Sequence, residues 1–426
     1  MSMNLYKHSV LLDESKCTGC TTCLRHCPTE AIRIKHGRAV IDPERCIDCG
    51  ACIRYCPHKA KHAECSSLAD MERFKWKIAL PAPTLYGQFD NLDEVDYVLN
   101  GLLKIGFDDV YEVAKAAELV SAYTRRYLNT DGVVKPAISS ACPVVLRLIG
   151  IRFPSLSRHV IHMLPPMEVA AKQARQRALE QHPELKPEDI GVCFISPCPA
   201  KVSYVKNGFA DYESAVDEVV SISDVYFSLI SKMKKDEPQQ MLSESGKIGI
   251  GWARSGGEAT AIFNDDYLAA DGIENVIHIL DQLESGSFPP LEFIELNACT
   301  GGCVGGVLTI QNPFIAKARL QTLRRYLPIS QNQLPKEEEY ISAEYLFENM
   351  PKYSPLSKLS DSIVESMRMM TDIQNLKSTL PGIDCGSCGA PTCRAFAEDV
   401  VKGLAGPEGC LIMGYGVPCV DGKDEP

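Results

Sequence analysis

Eight cysteines crowded between positions 17 and 56 constrain this chain more than any other feature. They run as Cys17-x2-Cys20-x2-Cys23-x3-Cys27-Pro28 and again as Cys46-x2-Cys49-x2-Cys52-x3-Cys56-Pro57. Thiolates are soft ligands that suit iron, and spacing this tight lets a short loop encircle a cube while its N–H groups point at the sulfurs. In such a repeat the first three cysteines of each run wrap one 4Fe-4S cluster and the fourth reaches across to the other. Cys17, Cys20, Cys23 and Cys56 are therefore the candidates for one cluster, and Cys46, Cys49, Cys52 and Cys27 for its twin. A structural zinc site is the competing reading, but zinc does not use a crossed eight-cysteine repeat.

The pattern is that of the bacterial two-cluster ferredoxins. Ala31 to Ile34 and Ala39 to Ile41 read as short strands around Gly37. Cys65 has no partner in the repeat and is expected to be a free thiol or a packing residue.

At 426 residues and 45% hydrophobic content the chain can bury a substantial core over two to four domains. Its nineteen cysteines fall into metal-ligand spacings, and Met1 to His8 lack the apolar run of a signal peptide. A reducing, cytoplasmic compartment is the expectation. No apolar stretch reaches the roughly 18 residues of a membrane span. A net charge of −11 disfavours nucleic acid and is compatible with a basic or neutral redox or signalling partner, although acidity alone is common.

Four more cysteines are too dispersed for any ferredoxin motif: Cys142 in Ser-Ala-Cys-Pro, Cys198 in Ser-Pro-Cys-Pro-Ala-Lys, and Cys299 and Cys303 in Asn-Ala-Cys-Thr-Gly-Gly-Cys-Val-Gly-Gly. From about residue 75 to 310 the chain resembles the FeFe-hydrogenases, whose three signature loops occur in this order with a lysine three residues after the second cysteine. The resemblance implies that the four thiolates hold a 4Fe-4S cube. Cys303 would also bridge to a two-iron unit carrying carbon monoxide, cyanide and a dithiolate bridge, the whole being the H-cluster. It implies too that Lys201 donates hydrogen bonds to an iron-bound cyanide and that Pro81 and Ala82 form the pocket's strand end.

Departures from the family pattern are equally informative. The cysteine that carries protons to the bridging amine is Ala141 here. Ser196 replaces the methionine before the second ligand's proline, Tyr204 the relay glutamate three residues past the lysine, and Asn297 the methionine two before the third ligand. This set resembles the sensory FeFe-hydrogenases. Ser139, Ser140 and Glu295 lie near the loops, where turn or capping hydrogen bonds compete with proton transfer as their purpose.

An α/β core is expected, with buried strands at Lys77 to Leu80, Val192 to Ile195, Lys247 to Ile250, Val276 to Ile279 and Phe293 to Leu296. Helical periodicity spans Met167 to His182 and Asp224 to Lys234. Cys198 and Cys299 each follow a strand end, where α/β folds place ligands. Cys193 falls inside a strand and reads as core, and Gly301-Gly302 and Gly305-Gly306 read as a cradle for a bulky group. Residues 316 to 345 read as a polar connection.

Beyond it, Cys385-x2-Cys388-x4-Cys393-x16-Cys410 resembles the small 4Fe-4S domain of corrinoid iron-sulfur proteins and of the ferredoxin-like subunit of membrane redox complexes. A helix from Arg394, ended by Gly403, should span the long gap. Zinc is its alternative, and Cys419 lies beyond the motif.

The expected architecture is a two-cluster ferredoxin (α+β) domain over residues 1–70, an α/β hydrogenase-like H-cluster domain over 71–345, and a C-terminal helix with a 4Fe-4S domain over 346–426. Four 4Fe-4S clusters and the two-iron unit are the implied cofactors. Hydrogen, protons, maturation proteins and an unidentified redox or signalling protein are the implied partners. The function expected is slow hydrogen turnover or hydrogen sensing with electron relay. A non-catalytic iron-sulfur carrier and a relay subunit of a larger redox complex are the alternatives.

Overall fold

The computed structural model describes residues 6–208, 212–234, 237–332, 334, 341–350, 356 and 359–414. Cys419 and part of the polar connection, including Gln333, Pro335 and the Glu337, Glu338, Glu339 run, lie outside them.

In the N-terminal module, strands Ile32–Lys35 and Arg38–Ile41 form a hairpin, and Val10–Leu12 pairs antiparallel with Lys61–Ala63. Cys23 and Cys52 sit in two short helices, Thr22–Arg25 and Ala51–Arg54, and help form a small core with Val10, Leu24 and Ile32.

The central unit holds two parallel sheets. One runs Asp109–Val110, Trp76–Pro81, Ile190–Ser196, Glu218–Ser221, with Ile78 beside Val192 and Phe194 beside Val219. The other runs Tyr267–Asp271, Phe293–Asn297, Ala137–Ile138. Parallel strands are buried on both faces and read as continuous apolar runs. Ile190–Ser196 is such a run, and Cys193 is fully buried within it. Helix Pro166–Gln181 packs on this strand and on helix Val113–Leu128.

Two expected strands are helices. Lys247 to Ile250 lies in helix Lys247–Gly251, which Glu118 caps by accepting from the Gly246 N–H at 2.6 Å. A Cβ on Gly249 would stand 2.0 Å from the Ala114 carbonyl oxygen, so glycine is what lets this turn press against the neighbouring helix. Val276 to Ile279 lies in helix Ile273–Glu284, with Val276 and Leu280 buried four residues apart, and the strand is Tyr267–Asp271 instead. A short apolar run satisfies either geometry until its contacts are known. The expected polar connection begins with a helix, Pro313–Leu323, whose Ala316 and Leu320 are buried. Leu346 pairs with Met163, and Phe347 and Leu356 bond the backbone of His162 and Ile151, so chain beyond 345 still packs on the central unit.

Helices Ile363–Thr379 and Cys393–Val401 pair in the C-terminal module around Ile373 and Phe396. The module docks on the ferredoxin module. Arg33 grips Asp399 through two nitrogens at 2.6 and 3.1 Å, and Arg45 and Lys402 both bond Glu398. The Ile34 N–H donates to the Gly389 carbonyl at 2.8 Å. Among the described residues, no helix is long and apolar enough to cross a membrane.

Candidate active site

The two sheets of the central unit deliver their loops to one place. Cys142 follows strand Ala137–Ile138 and caps helix Pro143–Arg152, while Cys198 follows Ile190–Ser196 and caps helix Pro199–Asn207. Each is followed by proline at the first helical position, which is pre-organised for a helix start. Cys299 and Cys303 lie in the turn after strand Phe293–Asn297. Two helix N-termini thus point at the gap among four thiols, a favourable setting for negative charge.

Two glycines make this meeting possible. Gly302 has φ +90°, and a Cβ there would lie 2.3 Å from the Ser255 nitrogen; one on Gly306 would lie 2.2 Å from the Pro197 carbonyl oxygen. The Cys299 loop therefore packs directly on the Cys198 loop. Ser196 does not face the gap; its hydroxyl donates to the Cys198 carbonyl and accepts from the Cys198 N–H, both at 3.1 Å, fixing that loop.

Cys142, Cys198, Cys299 and Cys303 line one cavity. Ala141, Lys201, Asn297, Trp252, Glu258 and Glu295 also line it. Burial raises the thiols, Cys198 to about 12 and Cys303 to about 11, and neighbouring thiols push Cys299 up further. Four thiols facing one cavity suit a cationic, soft metal centre, because such a centre lets them bind together as thiolates. Lys201 is 9% exposed, and its Nζ lies 3.7 Å from Met167 Sδ and over the Phe194 ring. That leaves ammonium hydrogens available for a ligand in the cavity.

Glu258 and Glu295 form a buried acid pair, 5% and 4% exposed. Glu295 accepts from Gly256 N at 3.0 Å, Ala259 N at 2.8 Å and Asn297 Nδ2 at 2.7 Å, whereas Glu258 takes one hydroxyl, Ser139 Oγ at 2.6 Å. Burial and the neighbouring Glu295 raise Glu258 to about 8. The richer donor set favours the carboxylate on Glu295 and leaves the proton on Glu258. The Ala141 N–H donates to Ser139 Oγ at 3.1 Å, which ties the alanine to this pair. Ser140 instead bonds the Met163 carbonyl at 2.5 Å. Sequence reasoning missed Glu258; its only signal was an acid directly after Gly256-Gly257.

Other expected residues lie apart. Tyr204 is buried in the central core and does not line the cavity, and Pro81 and Ala82 end their strand beside Ile195 without lining it.

The remaining sets also converge. Cys27, Cys46, Cys49 and Cys52 line one small pocket, and Cys385, Cys388, Cys393 and Cys410 another. The Cys23 thiol is raised by burial and by Cys17, Cys20 and Cys56. His8, Cys46 and Asp48 bring one ligand atom each within 4.8 Å of one another, but Asp48 already accepts from Ser9, Tyr6 and Ser203. The Cys49 and Cys299 loops border one open cleft, and Arg54 reaches the Gly305 carbonyl.

Fold and site together define an iron-sulfur redox protein with a hydrogenase-like core between two smaller iron-sulfur domains. The family described as the iron-only hydrogenase large subunit, C-terminal domain, matches residues 75–270 and 263–307, more than half of the chain, which belongs to the FeFe-hydrogenase family. A 4Fe-4S dicluster domain matches residues 9–57 and an Fe-S cluster family residues 380–412. The periplasmic [Fe] hydrogenase large subunit of Nitratidesulfovibrio vulgaris is 25% identical over 365 residues, covering 70% of this chain and 86% of its own. In fold, the chain is similar to a variant of the FeFe-hydrogenase HydA1 of Chlamydomonas reinhardtii, with TM-score 0.50, 15% identity, and 66% and 95% of the two chains covered.

The N. vulgaris protein is periplasmic, and this overturns the expectation of a cytoplasmic compartment. That expectation read abundant cysteine as a sign of reducing surroundings. Cysteines that ligate metal are withdrawn from disulfide chemistry in either compartment, so their number is no guide.

Proposed function

We propose that this chain binds and slowly turns over hydrogen at an H-cluster and reports the result as electrons, acting as a sensory FeFe-hydrogenase. Cys142, Cys198, Cys299 and Cys303 would hold the cube, with Cys303 shared with the two-iron unit. Cys17, Cys20, Cys23 and Cys56, then Cys46, Cys49, Cys52 and Cys27, then Cys385, Cys388, Cys393 and Cys410 would hold three accessory cubes. The domains would divide near residue 70 and, because Leu356 packs on the centre, beyond 356 rather than at 345.

The carrying observation is what lines the central pocket: beside its four cysteines stand the buried Lys201 and the buried acids Glu258 and Glu295, a lysine and acid pair that the pockets at two of the other cysteine sets lack. Lys201, Ala141 and the acid pair would face a second group held beside the cube. When bound, the two-iron unit supplies the centre at which hydrogen is split or formed. Lys201 orients it by donating hydrogen bonds, and the closely packed Cys198 and Cys299 loops limit water. Ala141 carries no titratable group, so Glu258, whose Oε2 accepts from the Ser139 hydroxyl, would supply a carboxyl proton from the cavity wall. Loss of a positioned acid–base step lowers rate by about 10²- to 10⁴-fold while leaving binding intact, which fits a reporter.

Infrared spectroscopy of matured protein is the test. Bands of iron-bound carbon monoxide and cyanide that shift under hydrogen are expected. A cube without such bands would make the chain an iron-sulfur carrier.

A further inference from the structure

Strand Lys61–Ala63 alternates inward and outward, and its first side chain points into the ferredoxin module. Lys61 is 3% exposed, and its Nζ is buried with no hydrogen-bond partner among the described residues. A lone buried ammonium is costly unless negative charge compensates it. Asp48 is the module's one buried carboxylate among the described residues, and it is engaged by Ser9, Tyr6 and Ser203 instead. Its positive charge is instead felt at cysteine, lowering both Cys23 and Cys52 against the rise that burial gives them, and these two belong to different cysteine sets. Both residues are the core-facing cysteines of the two short helices, which pack on each other, and helix Ala51–Arg54 also packs on this strand.

We propose that Lys61 is the shared counter-charge of the module's two clusters, a buried cation that favours the reduced state of both. The proposal rests on the reading that these cysteine sets hold 4Fe-4S cubes. Reduction adds one electron and takes a cube with its thiolates from a charge of about −2 to about −3, with no bond made or broken. The electron comes from hydrogen oxidised at the central site, or from dithionite in a titration. A fixed positive charge in a low-dielectric interior stabilises the more negative state and raises the potential. One ammonium acting on two cubes brings their potentials up together, which suits a relay in which neither cube should trap the electron.

Redox titration of the full chain followed by EPR reads this directly, because two neighbouring reduced cubes give a spin-coupled signal. Lys61→Met and Lys61→Gln are expected to move both midpoints to more negative potential, Lys61→Arg to restore them, and Lys59→Gln, at an exposed lysine just before the strand, to move neither. Unchanged midpoints in both neutral variants, with two clusters present, would overturn the counter-charge while leaving the cluster reading intact. Absence of two coupled clusters from the wild type would overturn the cluster reading and the proposal with it. Loss of a cluster in both neutral variants would assign Lys61 to holding the clusters and overturn its role in setting potentials.

Discussion

The central site and the C-terminal module each gather four cysteines, by opposite means. The module draws them from one short stretch, Cys385 to Cys410, around a core of a few residues such as Ile373, Phe396 and Ala395. The central site draws them from Cys142 to Cys303, at the ends of strands in two sheets whose core includes Ile78, Val192, Phe194 and Ile294. In the first case the metal organises the chain, and in the second the chain organises a place for the metal. Binding free energy becomes folding free energy only where no site is preformed.

Cysteine substitutions should break this comparison most visibly. Cys393→Ser is expected to remove about 4 of about 18 irons and to expose the Ile363–Thr379 and Cys393–Val401 helices to protease. Cys299→Ser should lose the infrared bands and central iron while the central unit stays protected, because its core does not depend on the cluster. Equal protease resistance of the C-terminal helices with and without their iron would remove the distinction.

The next effect concerns what surrounds the central cavity. Glu258→Gln keeps the shape and removes the proton. Hydrogen evolution is expected to fall about 100-fold or more with the infrared bands unchanged. Glu258 is protonated below about 8, so wild-type evolution should decline as pH rises through that value. That limb should vanish from the variant's pH profile. A variant with the wild-type rate and profile would leave the acid pair a purely structural role.

The same contrast explains what could be read from sequence. Contiguous motifs, the eight-cysteine repeat and the Cys385 to Cys410 set, carry their geometry in their spacing, and the structure gathers Cys27 with Cys46, Cys49 and Cys52 as the crossed pattern requires. The dispersed four were legible only through family resemblance, since nothing local says that the Cys198 loop meets the Cys299 loop. Lys247 to Ile250 and Val276 to Ile279 misled because a four-residue apolar run fits a strand and a buried helix alike. Glu258 was invisible because its role depends on Ser139 and Glu295, far away in sequence.

Docking gives a smaller test. The C-terminal module leans on the ion pairs of Arg33 with Asp399 and Arg45 with Glu398, whereas Arg147 ties the ferredoxin module to the central unit by donating to the Cys46 and Pro43 carbonyls at 2.6 and 2.9 Å. Asp399→Asn should weaken the first contact by about 1–3 kcal/mol. Added salt should weaken it further and leave the second nearly unchanged. Electron exchange between C-terminal and ferredoxin clusters, followed by rapid-freeze EPR, should slow accordingly; equal salt sensitivity at the two joints would count against the contrast.

The smallest effect is expected at Ala141. Ala141→Cys puts a titratable thiol on the cavity wall, one residue from the Ser140 backbone and joined through its own N–H to Ser139, which already bonds Glu258. Turnover should rise several-fold at equal H-cluster content, and adding Glu258→Gln should erase the gain, because a proton chain works only when its links connect. Tyr204→Glu is a different matter. Tyr204 is buried in the central core away from the cavity wall, so a carboxylate there is a buried charge before it is a relay. Ala141→Cys with Tyr204→Glu should therefore be no faster than Ala141→Cys alone and less stable to heat. A double variant faster than either single one would mean that protons leave this site past Tyr204 and not through the acid pair.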